Sequence, residues 1–258
     1  MDDLNYRELL KCFQLESEKY RQDDIYEHTI ECMFESMRDW SQFHTIVEVR
    51  DWFEKKKSGI KFEVEEIPLN EVKNWRSDER SGNISHISGD FFIIHGVRVS
   101  TENREVESGW DQPILRQIGY DGGLLGLIRK RFNGVPHYLC EAKVEPGNYG
   151  KVQLSPSLQA TFSNINKAHL GRSPHFCDLF VERYENPHVK VLFDAWLSED
   201  GGRLHLKRNR GILIEMCERE TLKLPSDNFI WLSLYQIKIL LKEDAWINPH
   251  VRGILAHV

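Results

Sequence analysis

The residues best suited to chemistry lie between Tyr138 and Asn164, in the run YLCEAKVEPGNYGKVQLSPSLQATFSN. Side chains alternate along a strand. That sends Cys140, Ala142 and Val144 to one face and Glu141, Lys143 and Glu145 to the other. Pro146-Gly147 breaks the strand. A short apolar piece, Val152 to Leu154, then leads into Ser155, Pro156, Ser157, Leu158 and Gln159. Three charged groups running into a Gly-rich turn and a hydroxyl-rich loop can line a polar pocket. They read equally well as the solvated face of an edge strand, where charge is common.

The rest of the chain must position that stretch. Residues 1–58 read as helical, with Ile25, Ile30, Met33, Phe34 and Met37 near helical spacing and a further helix over Val47 to Lys57, stopped near Gly59. From Lys61 the period becomes two, predicting an imperfect strand that ends at Pro68. Trp75 follows in a polar loop, where it caps the core or offers a flat surface for a base or sugar. Ile84 to Thr101 predicts a hairpin turning at Ser88-Gly89-Asp90; His86 and His95 within it read as core histidines. Trp110 and Gln112 precede a short strand. A second hairpin runs from LLGLIRKR through Asn133-Gly134 into HYLCEAK. PHFCDLFVERY reads as helix or strand. Lys190 to Trp196 is a strand that Asp200-Gly201-Gly202 turns back into Arg203 to Arg208, with a further strand over Ile212 to Met216. Pro225-Ser226 predicts a cap for a helix bearing Trp231, Leu234, Ile237, Leu240 and Leu241, and Asn248-Pro249 starts a final short helix. Strands flanked by helices point to an α+β class with a mixed sheet. No internal repeat is visible.

Composition narrows the class. The 258 residues allow one large domain or two small ones. The net charge of −6 argues against a nucleic-acid binder. Five scattered cysteines, Cys12, Cys32, Cys140, Cys177 and Cys217, suggest reduced thiols and a cytoplasmic location. The polar, acidic N-terminus does not read as a signal peptide, and no apolar run is long enough to span a membrane. Neither metal-ligand spacing, nor a dinucleotide glycine pattern, nor a P-loop is present.

EAKVEPGN followed by QLSPSLQATFSN resembles the signature of the NDP-hexose 2,3-dehydratase family. ESGWDQPIL (107–115), DAWLSEDGGRLHLKRNR (194–210), FIWLSLYQIKILL (229–241) and NPHVRGILA (248–256) match in the same order. The resemblance covers roughly residues 60–258. Departures fall at Cys140, at Glu141 where Gln is usual, at Ser155 and Ser157 where Ala and Thr are usual, and at Leu197 before Ser198. The family implies a Nudix-like domain over 59–258, preceded by a helical segment over 1–58. The glutamate box of Nudix hydrolases is absent, so metal-dependent pyrophosphatase chemistry is not expected. Family members usually carry two copies of this unit, so the single copy here implies a homodimer, most simply two-fold.

The implied reaction removes the C2 hydroxyl of an NDP-4-keto-6-deoxyhexose. The C4 ketone acidifies the C3 proton, a base takes it, and the enolate expels the C2 hydroxyl with help from an acid. Tautomerisation gives a 3,4-diketo-2,6-dideoxy sugar, the substrate of a 3-ketoreductase. These steps require no cofactor and no metal. By position, Glu145 is the candidate base or acid, and Lys143 the candidate group for the enolate or a phosphate; the two also fit a structural ion pair. Trp75, Gln112, Ser155, Pro156, Ser157, Leu158, Gln159, Ser198 and Asn209 are candidate substrate contacts. Arg203, Lys207 and Arg210 form the most basic short run, suited to a diphosphate or to a solvated hairpin. Competing readings are a keto-sugar isomerase or epimerase on the same scaffold and a non-catalytic nucleotide-sugar-binding protein.

Overall fold

The structure is a computed structural model describing residues 5–20, 27–102, 108–119, 122–161, 165 and 173–257. Among these residues the helices are α1 (Tyr6–Ser17), α2 (Glu27–Glu35), α3 (Ile46–Gly59), α4 (Cys177–Val181), α5 (Leu234–Leu240) and α6 (Pro249–Leu255). Two sheets lie between them. The smaller is antiparallel, in the order β1 (Trp75–Ser77), β2 (Ile84–His86), β3 (Phe92–Val99), β4 (Trp110–Gln117). The larger contains β5 (Gly123–Phe132), β6 (Val135–Val144), β7 (Val152–Pro156), β8 (Leu158–Thr161), β9 (Val189–Ser198), β10 (Arg208–Met216) and β11 (Phe229–Leu232). Its order is β11-β6-β5-β10-β9, and β5 and β10 are parallel while the other pairs are antiparallel. The α+β mixed-sheet class predicted from the sequence is the one observed.

The larger sheet is covered on both faces, which explains the nearly unbroken apolar run of β5. Leu125, Leu127, Cys140, Ala142, Leu154 and Leu213 pack with Val49 and Phe53 of α3 and with α5 and α6. Leu124, Ile128, Leu139, Ile212 and Ile214 pack on the opposite side with Phe180 of α4. The β5–β6 hairpin turns at Asn133 and Gly134, both at positive φ (49° and 83°), the pattern of a type I′ turn.

Three sequence expectations change. Phe62 to Ile67 forms no strand; its side chains are mostly exposed and no sheet edge pairs with it. Arg203 to Arg208 is not a separate return strand either. One strand, β10, pairs with β9 from Arg208 onward, and the preceding loop includes Leu206 at φ 53°. The helix expected after Pro225-Ser226 begins later. FIWL is strand β11 on β6, and Ser233 caps α5 through a capping box with Gln236. Among the described residues no helix is long and apolar enough to cross a membrane.

The N-terminal helices are tied to β5 by charge. Arg129, 1% exposed, pairs with Glu31 (2.7 Å), Glu35 (2.6 Å) and Glu215. Arg131 also reaches Glu31 (2.6 Å). Burial opposes ionisation of Glu31, but hydrogen bonds and charges from Arg131 and Arg129 hold its pKa down to about 2.

Candidate active site

The signature stretch forms a wedge. β6 pairs with β5 through Leu139, and beyond that point the two strands separate. β7 fills the gap along β6 and β8 fills it along β5. Ser157 sits at the fork, 2% exposed. Its Oγ accepts from the Ile128 N–H (3.0 Å) and donates to the Leu139 carbonyl (2.5 Å), bridging the strands where their own ladder stops. Pro156 and Leu158 are buried beside it. Ser155 lies across from Glu141, fully buried, and its hydroxyl has no hydrogen-bond partner among the described residues.

Gln159 is the member of this segment that reaches the charged face. Its Nε2 donates to Glu145 (2.8 Å), and its carbonyl accepts from Lys143 Nζ (3.5 Å). Glu141, on the same face, is raised above the usual carboxylate range by burial.

A second group comes from the β9–β10 loop and the last helix. Lys207 donates to Asn209 Oδ1 (2.7 Å) and to Gln117 of β4. Asn209 Oδ1 also accepts from the Gly123 N–H (2.8 Å), and Asn209 Nδ2 donates to Glu199. Glu199 lies 3.7 Å from His250 Nδ1. Asn248 caps α6, its side chain accepting from the His250 N–H (2.9 Å). The Leu154–Ile247 bridge pins this segment to β7. The smaller sheet steadies the loop: Leu115 N–H donates to the Arg203 carbonyl (3.0 Å) and His205 N–H to the Leu115 carbonyl (2.7 Å). His95 and His205 meet ring to ring, nitrogen to nitrogen at 3.2 Å.

Electrostatics join the two groups at His250. Burial holds its pKa below the ordinary histidine value; Glu199 and Glu145 pull it up, and Lys143 and Lys207 push it down. Two carboxylates and two ammonium groups thus act on one half-buried imidazole. Burial also lowers the pKa of Lys207, against the charge of Glu199. A neutral imidazole can take a proton, the carboxylates can stabilise the resulting imidazolium, and the ammonium groups can stabilise a developing oxyanion.

Of the residues singled out by sequence, Lys143, Glu145 and Gln159 form the first group and Lys207 and Asn209 belong to the second. The others lie elsewhere. Trp75 is in the smaller sheet, edge-on to His86 at 5.8 Å. Gln112 links β4 to the Gly202 carbonyl (2.8 Å) and accepts from Trp110 Nε1 (2.6 Å). Ser198 is exposed and opposite Arg208, one residue out of phase with Glu199. Arg203 stands at the loop tip, paired with Asp200. Arg210 pairs with Asp194 and lies over Trp196 at 5.5 Å. The basic run is therefore divided among three places. Phe162, Ser163, Asn164 and Glu107 of the quoted motifs lie outside the described residues. Sequence reasoning missed His250, Glu199 and Gln117. Nothing in the local pattern of NPHVRG or LSEDGG marks His250 or Glu199 for proton transfer.

Residues 46–258 match the family model for NDP-hexose 2,3-dehydratase. The chain belongs to that family. Among curated proteins, it is 38% identical over 205 residues to a dTDP-4-dehydro-6-deoxy-alpha-D-glucopyranose 2,3-dehydratase of Saccharopolyspora spinosa, covering 80% of this chain and 40% of that protein. It is 37% identical over 213 residues to one of Amycolatopsis orientalis (81% and 44%), and 36% over 206 residues to one of Streptomyces violaceoruber (80% and 44%). This 2,3-dehydratase family member thus spans less than half the length of the curated relatives it matches. A Nudix hydrolase crystal structure from M. smegmatis covers 63% of this chain and 97% of its own at 12% identity, with a TM-score of 0.31. The α+β class rests on the strand order above.

Proposed function

We propose that this family member dehydrates an NDP-4-keto-6-deoxyhexose across C2 and C3, with dTDP as the nucleotide. The observation supporting it most is Glu199 at 3.7 Å from His250 Nδ1, with Lys207 of the same loop and Lys143 and Glu145 at the end of β6 also acting on that imidazole. In this reading neutral His250 takes the C3 proton. Lys143 and Lys207 stabilise the enolate oxygen on C4. The imidazolium, supported by Glu199 and Glu145, returns the proton to the departing C2 hydroxyl as water leaves. The enol then tautomerises to the 3,4-diketone, which a 3-ketoreductase consumes. Gln159 and Asn209 hold the carboxylates in place. A homodimer in the cytoplasm completes the proposal.

A second reading is binding without turnover. It is favoured by the 40–44% coverage of the relatives, since part of a longer relative can bind without reacting. The two readings separate on one pair of proteins. Wild type should consume dTDP-4-keto-6-deoxyglucose. His250→Gln should lose roughly 10²- to 10⁴-fold in kcat while dTDP binding by calorimetry is retained. Binding without turnover by wild type would favour the second reading.

A further inference from the structure

Lys207 carries a charge assigned to the enolate oxygen, yet among the described residues its hydrogen-bond partners are neutral. A lysine ammonium has three N–H donors. Gln117 Oε1 takes one of them and Asn209 Oδ1 a second, at 2.7 Å. Both acceptors are amide oxygens. The neighbouring carboxylate, Glu199, accepts from Asn209 Nδ2 instead. Neutral acceptors fix the direction of an ammonium without cancelling its charge, and the third N–H is left for a reacting oxygen. Resting on the dehydratase reading, we infer that Gln117 is a positioning residue of the reaction, directing Lys207 at the enolate oxygen while leaving the ammonium charge uncompensated.

A single peptide group orients both amides. The Gly122 carbonyl accepts from Gln117 Nε2 (3.5 Å), and the Gly123 N–H donates to Asn209 Oδ1 (2.8 Å). The carbonyl and N–H of that planar unit are fixed relative to each other. The ammonium donates and the Gly122 carbonyl accepts, so the Gln117 oxygen must face Lys207. The peptide is tightly enclosed. A Cβ on Gly122 would stand 2.2 Å from the Arg208 carbonyl oxygen, and one on Gly123 2.5 Å from that of Ala160. Glycine lets β5 enter between β8 and β10 at this spacing. β4 also holds the loop backbone before Lys207, through the bonds of Leu115 with Arg203 and His205. One strand of the smaller sheet thus grips Lys207 by its loop and by its ammonium.

The choice of Gln over Glu at this position is the informative one. Burial works against the Lys207 charge, and Glu199 supports it. A carboxylate at 117 would supply a full counter-ion to a half-buried ammonium and favour the folded chain. It would also neutralise the charge meant for the enolate. Stability and turnover should therefore move in opposite directions in Gln117→Glu, whereas a purely structural link between the sheets would move them together.

The test is steady-state kinetics with dTDP-4-keto-6-deoxyglucose, with thermal melts, in wild type, Gln117→Glu, Gln117→Met and Lys207→Met. Gln117→Glu should melt at or above wild type yet lose about tenfold or more in kcat, with KM little changed. Gln117→Met, similar in size but without the acceptor, should also lose kcat. In the Lys207→Met background neither change at 117 should lower kcat further, because both act through that ammonium. Wild-type kcat in Gln117→Glu would overturn the assignment and leave the dehydratase reading standing. Losses that persist undiminished without Lys207, or failure of both Gln117 variants to fold, would do the same by making Gln117 a structural tie. Absence of turnover by wild type would overturn both.

Discussion

In the proposed mechanism His250 acts from the neutral state that burial favours, and this fixes a sign for the pH dependence. Its pKa lies below the ordinary value of about 6.5, so kcat/KM should be flat at neutral pH. It should fall only as acid protonates the imidazole. An acid limb centred above the ordinary value would assign the base elsewhere. Glu145→Gln removes one of the carboxylates raising that pKa. It should cut kcat by about tenfold or more and move the acid limb further down in pH. A merely structural Glu145 would leave the limb where it is. Sequence alone exposed Lys143, Glu145 and Gln159, because strand alternation and the family motif both act over a few residues. It hid His250 and Glu199, because 105 positions separate Glu145 from His250 and only the fold closes that distance. Ser157 resembled a ligand contact because a buried strand fork has no sequence signature of its own.

At the scale of elements, the hairpins were legible because turn chemistry is local. Asn133-Gly134 needs two positive φ angles, and those two residues adopt them readily. FIWLSLYQIKILL was harder, since a short apolar run fits strand or helix alike and partners in β6 decide. Two predictions concern how the helices attach. Arg129→Leu leaves Glu31, Glu35 and Glu215 without their buried cation. It should cost about 3–5 kcal/mol of stability in denaturant titration; a loss below about 1 kcal/mol would show that the network is dispensable. His137 is fully buried, its Nδ1 donating to the Val135 carbonyl (3.1 Å) and its Nε2 accepting from the Gln42 N–H (3.1 Å), so the neutral ring is the one that fits. Burial takes its pKa to about 4. The unfolded chain therefore binds the proton first, and stability should fall as pH drops from about 6.5 toward 4, by up to about 3 kcal/mol. His137→Gln should flatten that slope in melts across the window; an unchanged slope would place the titration on other groups.

In the whole molecule, a mixed sheet, a fork that carries the signature motif and a β9–β10 loop held by the smaller sheet together frame the candidate site. The α+β class followed from strands flanked by helices. The docking of Gln117 on Lys207 did not, because contacts between sheets leave no periodic trace in sequence. Chemistry on a bound sugar is the claim to which every level contributes. Mass spectrometry after incubating wild type with dTDP-4-keto-6-deoxyglucose in heavy water, with hydride trapping of the diketone, tests it most directly. The expected product is a 2-deoxy sugar lighter by one water. Deuterium uptake with the C2 oxygen retained would contradict it in favour of epimerisation, and recovery of unlabelled, intact sugar from a nucleotide-binding protein would leave only binding.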